Sequence, residues 1–320
     1  MKAVQILGDR GAATIALTDS LPRPVPSGQE ILIQVHAAGI TADEISWLEV
    51  YKTPSRVPGH DISGVVAELG PDYKGPLSVG DEVFAMLDAD RGQGQAEYAT
   101  ALDEEVAPKP KTISHAEAAA LPIPILTAFE PLSRHTTLAP GSRILVTGAS
   151  GAVGVMLVQL AKRLFGAEVV ALASAQKHEY LRLLGASEVV DYKTPGWEAI
   201  ASVDAVFDTV GGSVLSQSWK TLKQGHGAIV TVADPPPPWA FGREVPKELE
   251  SNPEVKYVYF ILSTDSKALS QVAGLIDKGE VVCLPVVEFP VSEALSAWSA
   301  AGGRGRAGKV VINFVPQEQD

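Results

Sequence analysis

Three glycines, Gly148, Gly151 and Gly154, stand between an apolar run, Arg143–Thr147 (RILVT), and an apolar, helix-periodic stretch from about Ala152 to Phe165. In Val146–Gly154 (VTGASGAVG) this spacing suits the binding of a pyrophosphate. A residue without Cβ lets the chain turn tightly and lets a diphosphate approach the backbone. Its charge then meets unpaired N–H groups and the positive end of the helix dipole. The spacing is GxxGxxG rather than the commoner GxGxxG, so the strand before it and the helix after it carry much of the weight. Two other readings compete. Gly148-Ala149-Ser150-Gly151 resembles part of a nucleophile elbow with Ser150 as nucleophile, but Ala152 stands where the elbow needs glycine, and neither His178 nor His226 is marked as a base. The glycines could also serve only to pack a helix on a strand. A P-loop is excluded, because no Lys-Ser/Thr follows them.

The residues after the next strand bear on which dinucleotide would bind. An NAD site usually ends its second strand in a carboxylate that holds the ribose hydroxyls. Here the strand VVALA is followed by Ser174, Ala175, Gln176 and Lys177. A hydroxyl and an ammonium suit a 2′-phosphate, which a carboxylate would repel. Tyr192, at the end of the following strand, is placed to reach the same pocket. These residues favour NADP(H). Each also has a plain structural reading: Ser174 as a cap, Lys177 solvated, Tyr192 packed on a neighbour.

The elements that must position these groups follow from patterning. The chain has 320 residues, enough for about two domains, and 46% are apolar against 20% charged, which supports packed cores. Roughly the first 110 residues contain strand-like segments, Glu30–Ala37, Ile62–Leu69 and Glu82–Met86, separated by Gly, Pro and Asp. From Ser114, which with Glu117 has the form of a capping box, the pattern changes. An Ala-rich helical stretch interrupted by Pro122 and Pro124 leads into alternating strands and helices. The strands are Arg143–Thr147, Glu168–Ala173, Glu188–Tyr192, Ala205–Thr209, Gly227–Val232 and Val255–Leu262. Helices at 152–165, Gln176–Leu184 and Asp265–Lys278 complete an α/β reading with a parallel sheet. The strand-like Lys309–Phe314 points to a discontinuous first domain. The run Pro235–Pro238 reads as a stiff loop.

Composition narrows the partners. Lys plus Arg total 26 against 38 Asp plus Glu, a formal charge of −12, which argues against a nucleic-acid partner. Cys283 is the only cysteine, so an intramolecular disulfide framework and multi-cysteine zinc sites are excluded. No apolar run approaches the about 18 residues of a membrane span, and none reads as a signal peptide. The expectation is a soluble, cytoplasmic protein with no membrane partner.

A set of segments in fixed order extends the argument: AAGITADEISW (37–47), PGHDISGVVAELG (58–70), VGDEVFAM (79–86), AEYAT (96–100), AAALPIPILTAFEPL (118–132), VTGASGAVG (146–154), LLGASEVVDY (183–192), VFDTVGG (206–212) and AGKVVI (307–312). Over nearly its whole length the chain resembles the medium-chain dehydrogenase/reductase superfamily, in its zinc-free quinone oxidoreductase-like branch. The resemblance implies a GroES-like β-barrel domain, residues 1–115 with 285–320, and a Rossmann domain with a doubly wound parallel sheet, residues 116–284. It implies that Ser150, Gly151, Ala152 and Val153 line the pyrophosphate and that Ser174, Lys177 and Tyr192 hold the 2′-phosphate. Thr127 would lie near the nicotinamide side, Val210 and Gly211 would follow the nicotinamide ribose, and Val232 and Phe260 would approach the ring or its amide.

Two departures from the wider family matter. His60 of Gly59-His60-Asp61 matches a zinc-ligand position, but no cysteine stands early in the chain, so no metal is expected. Thr41-Ala42-Asp43 replaces the Asn-Pro-x-Asp common in the zinc-free branch. The expected reaction is hydride transfer from NADPH to a quinone or an α,β-unsaturated carbonyl, with Tyr51 as candidate proton donor; the alternative is that Tyr51 only shapes the pocket wall and water supplies the proton. Alternatives are an enoyl reductase acting on a carrier-bound or secondary-metabolite intermediate, and a non-catalytic NADPH-binding protein. The resemblance also implies a homodimer, with Val255–Leu262 as its edge; the alternative is a monomer in which that edge is covered.

Overall fold

The computed structural model describes residues 1–320 except Ala201, Arg304 and 316–320, and the chain divides into two compact units. The first comprises Met1–Ile123 and Ser263–Asp320 and the second Pro124–Leu262. The last five residues of the expected 285–320 segment lie outside the described residues.

The first unit begins with an antiparallel hairpin, β1 (Ala3–Leu7) and β2 (Thr14–Thr18). Strand β3 (Ile31–Gly39), helix α1 (Leu48–Lys52) and strands β4 (Asp61–Leu69), β5 (Glu82–Met86), β6 (Tyr98–Ala101) and β7 (Val106–Pro108) follow. Helix α2 (His115–Ala119) starts at the expected capping box: the Ser114 side chain accepts from the Glu117 N–H, and the Glu117 carboxylate accepts from the Ser114 N–H. Helix α3 (Pro122–Glu130) opens on Pro122, where a missing N–H costs no helical bond, so the prolines start this helix rather than break it.

The second unit is built from β8 (Arg143–Val146), α4 (Ala152–Phe165), β9 (Glu168–Ala173), α5 (His178–Leu183), β10 (Glu188–Asp191), β11 (Ala205–Asp208), α6 (Gly212–Ser218), β12 (Ala228–Thr231) and β13 (Lys256–Tyr259). All six strands are parallel, in the order β10-β9-β8-β11-β12-β13. Their near-continuous Val, Ile, Leu and Ala runs are those of a sheet covered on both faces. Leu145, Val170, Val206 and Ile229 pack with Trp197, Trp219 and Trp239. This is the doubly wound sheet expected from the sequence. The last strand is shorter than expected, Lys256–Tyr259 rather than Val255–Leu262.

The chain then re-enters the first unit with α7 (Ser266–Asp277), β14 (Val286–Pro290), α8 (Ala294–Gly302) and β15 (Lys309–Asn313). The sheet order is β14-β15-β3-β4-β5-β7, with β6 also on β3, and all pairs but β14–β15 are antiparallel. Buried Ile31, Ile33, Val35, Ile62, Val83 and Ile312 form its core with Trp298 of α8. Fully buried Asp61 ties the separated segments together: its carboxylate accepts from Lys309 Nζ at 2.6 Å and from the Ile123 N–H at 2.7 Å.

The units differ from the expected boundaries, 1–115 with 285–320 against 116–284. Helix α7, expected with the parallel sheet, packs on β7 of the first unit, and Asp277 at its end accepts from the Thr112 N–H and hydroxyl, each at 3.1 Å. Its amphipathic stripe specifies that a face is buried, not which sheet buries it.

Candidate functional site

Strand order in the parallel sheet reverses at β8 and β11, and the crevice beyond their carboxyl ends is where such sheets bind ligands. The glycine turn sits there. Gly148 adopts a left-handed conformation (φ 59°), and a Cβ on it would lie 3.0 Å from Val210 Cγ2. A Cβ on Gly154 would lie 2.6 Å from Ala149 Cα, so the start of α4 seats directly on the turn. Gly151 is the N-cap of α4 and provides no side-chain cap. With Ser150 and Gly151 exposed and Ala152 and Val153 half-buried, the first N–H groups of a 14-residue helix open to a ligand. A diphosphate fits this cradle: no acidic side chain stands in the first turn of α4, and a Cβ at Gly154 would push the helix off the turn.

The loop after β11 is pinned by a residue that sequence reasoning passed over. Asp208 is 1% exposed. Its Oδ1 accepts from the Thr147 hydroxyl at 2.6 Å and the Val210 N–H at 3.3 Å. Its Oδ2 accepts from the Thr231 hydroxyl at 2.7 Å and the Gly211 N–H at 3.0 Å. One buried carboxylate thus joins the ends of β8, β11 and β12 and sets Val210 and Gly211 at the crevice. The Val232 N–H donates to the Asp208 carbonyl at 3.1 Å. The Phe260 N–H donates to the Thr231 carbonyl at 3.4 Å, and the Phe260 ring lies against His135, tilted by 48° with centroids 5.0 Å apart. The available signal was the Asp that precedes Thr-Val-Gly-Gly, together with threonines ending two neighbouring strands.

Ser174 follows β9 and Tyr192 follows β10, and the register Asp191↔Ala173 sets these two exits side by side. Lys177 is exposed and Tyr192 is 47% exposed, with the Lys193 ammonium 5.8 Å from its ring centroid. The Ala149 N–H donates to the Leu172 carbonyl at 3.2 Å, linking the glycine turn to β9. Thr127 is buried on α3. The structure therefore brings together Ser150–Val153, Val210, Gly211, Val232 and Phe260 on one edge, with Ser174, Lys177 and Tyr192 along it. The elbow reading of Ser150 loses one candidate base, because His226 lies 4.0 Å from Asp204, which precedes β11 at the opposite edge.

Tyr51 belongs to the first unit. Its hydroxyl donates to the Ile45 carbonyl at 2.7 Å, and the Arg56 guanidinium lies 5.6 Å from its ring. In this structure the hydroxyl is thus engaged by the backbone of its own segment.

The zinc-ligand position is also engaged. His60 is 3% exposed, with Nδ1 2.7 Å from Glu44 Oε1 and Nε2 3.4 Å from the Ala89 carbonyl. Burial alone would lower its pKa, but the Glu44 carboxylate, the Ala89 carbonyl and Asp61 together raise it above the ordinary value. Burial, helped by Glu117, pushes the Cys283 thiol up to about 12. Among the described residues no group of three or more His, Cys, Asp and Glu side chains could hold a metal ion, and no helix is long and apolar enough to cross a membrane.

Comparison with known proteins bears on the family and the fold. Residues 27–111 match the alcohol dehydrogenase GroES-like domain, and residues 184–312 match a family described as zinc-binding dehydrogenase. The chain is 31% identical to the chloroplastic quinone-oxidoreductase QR1 of Triphysaria versicolor, over 98% of each chain. It is also 31% identical to the chloroplastic NADPH-dependent alkenal/one oxidoreductase of Arabidopsis thaliana, over 96% of this chain and 78% of that one. Its fold superposes on the quinone oxidoreductase of Coxiella burnetii with a TM-score of 0.82 at 29% identity, over 98% of this chain and 99% of that one. A GroES-like domain, a doubly wound parallel sheet and full-length relatives converge: the chain is an oxidoreductase that belongs to the medium-chain dehydrogenase/reductase superfamily, in its quinone oxidoreductase-like branch.

Proposed function

We propose that this protein is an NADPH-dependent reductase of quinones or α,β-unsaturated carbonyls that works without zinc. One observation carries the cofactor choice. The adjacent exits of β9 and β10 present Ser174, Lys177 and Tyr192, and no carboxylate ends β9. Lys177 and the Ser174 hydroxyl would hold the 2′-phosphate, with Tyr192 beside them. The N–H groups of Ala152 and Val153 would meet the pyrophosphate at the dipole end of α4. Val210 and Gly211, held by Asp208, would follow the ribose, and Val232, Phe260 and Thr127 would border the nicotinamide. The names of the quinone oxidoreductase and alkenal/one oxidoreductase relatives support the acceptor class.

NADPH, when bound, supplies a hydride to a carbon of the acceptor, and negative charge develops on the acceptor oxygen. The chain orients the two reactants and excludes water from the reacting edge. Because the Tyr51 proton is bound to the Ile45 carbonyl, this reading has Tyr51 position its segment and lets solvent deliver the closing proton. The donor set does not fit catalytic zinc: both His60 nitrogens face acceptors, no cysteine precedes Cys283, and that lone thiol is held protonated. A cytoplasmic location, the absence of nucleic-acid and membrane partners, and a homodimer formed at the open edge of β13 belong to the same reading. Sedimentation checks the last.

The test is calorimetric titration with NADPH and NADH. NADPH binds at least about tenfold more tightly, and Lys177→Ala removes most of that preference, as expected for the loss of one charge-assisted contact of about 1.5–3 kcal/mol. Equal affinities for the two cofactors in the wild type would overturn the assignment.

A further inference from the structure

We propose that Phe241, backed by Tyr259, is a specificity-determining wall against which a planar, electron-poor acceptor stacks; this rests on the function proposed above. Phe241 lies in the loop between β12 and β13. Its backbone is left-handed (φ 58°, ψ 25°), a conformation that a bulky L-residue rarely adopts. Gly242 follows with φ 70°. Such strain is ordinarily offset by burial of the ring, yet Phe241 remains 59% exposed. The fold holds an aromatic face outward at an energetic cost.

The place of that face is fixed by the sheet. Tyr259 is the last residue of β13, in register with Thr231, whose hydroxyl bonds to Asp208. The Phe241 and Tyr259 rings meet at an interplanar angle of 73° with centroids 5.0 Å apart. Phe241 therefore stands at the carboxyl edge of the sheet, with Val232 on the neighbouring strand exit. The Arg243 guanidinium lies 5.3 Å from the Phe241 centroid. An electron-rich ring with a cation beside it suits a conjugated acceptor whose oxygen gains charge during reduction. A flat quinone ring would use the whole face, whereas a short acyclic enone would use little of it.

The experiment compares Phe241→Gly and Phe241→Asn, both tolerant of a left-handed backbone, with Phe241→Tyr. The KM ratio of 1,4-naphthoquinone to methyl vinyl ketone is measured at saturating NADPH. The ratio rises about fivefold in the Gly and Asn variants and returns to within about twofold of wild type in the Tyr variant. The melting temperature of Phe241→Gly is at or above that of the wild type, because the strain is relieved. An unchanged ratio overturns the proposal, as does a shift from dimer to monomer in Phe241→Gly, which would assign the ring to an interface between copies. If the wild type reduces neither acceptor, the proposed function fails by itself. Quenching of tryptophan fluorescence by 1,4-naphthoquinone then decides the wall, and equal affinity in wild type and Phe241→Gly overturns it.

Discussion

Replacing Asp208 by Asn tests whether one buried carboxylate sets the crevice. The side chain keeps its size, but one acceptor oxygen becomes an NH2 group. Four donors converge on Asp208: two threonine hydroxyls and the N–H groups of Val210 and Gly211. An amide oxygen can satisfy the pair on one side, and the pair on the other side then faces a donor. Thr147 and Thr231 are each 0% exposed, so neither hydroxyl gains water in exchange. Two unsatisfied donors at about 1–3 kcal/mol each would cost about 2–6 kcal/mol, and relief of a buried charge offsets part of this. The expected loss is about 3 kcal/mol. At about 2–4 °C per kcal/mol the melting temperature falls by about 6–12 °C, read by differential scanning calorimetry. Cofactor affinity falls with it, because the Val210–Gly211 loop loses its anchor. A variant within about 0.5 kcal/mol of wild type would refute the idea that this carboxylate holds the loop.

Two further outcomes are expected. The His60 pKa is raised in the folded state, so the stability it contributes is complete below its unfolded value, about 6.5, and is lost as pH rises through the folded pKa. Thermal midpoints scanned from about pH 6 to 9 should therefore decline in the wild type and flatten in Glu44→Gln; parallel slopes would show that the pair is not responsible. Tyr51→Phe should lose about 1 kcal/mol of stability with the Ile45 hydrogen bond and leave kcat within about threefold. A drop in kcat of about a hundredfold or more would restore Tyr51 as the proton donor.

The parallel sheet was legible because its central strands are short apolar runs, two of them led in by Gly141 and Gly227. Helix 152–165 ends at Gly166, in the left-handed conformation that closes helices. Strands of the first unit were harder to read. Thr14–Thr18 is a half-exposed hairpin partner, and Val286–Pro290 is a sheet edge with only partly buried residues, so neither carries a strong apolar signal. The small helix Ala294–Gly302 is rich in Ala and buries Trp298 through a bond from Nε1 to Gln95 Oε1 at 2.9 Å, a contact spanning two distant segments. The site was legible as a turn and as strand exits, since these are local. The Asp208 network and the engaged Tyr51 hydroxyl were not, because each depends on which carbonyl or hydroxyl the fold brings within 3 Å.

The pairing of β15 with β3 has a kinetic consequence. Ala37, Ala38 and Gly39 receive their partners from residues 311–313, which leave the ribosome roughly 270 residues later. At about 5–20 residues per second, that interval is about 15–55 s. All the strands of the parallel sheet emerge within it and can assemble first, while the far end of β3 waits with an unpaired edge and an incomplete core. Such an edge can template pairing with another nascent chain. Slowing the synthesis of residues 263–310 should therefore increase aggregation of the growing chain without altering the stability of the finished protein.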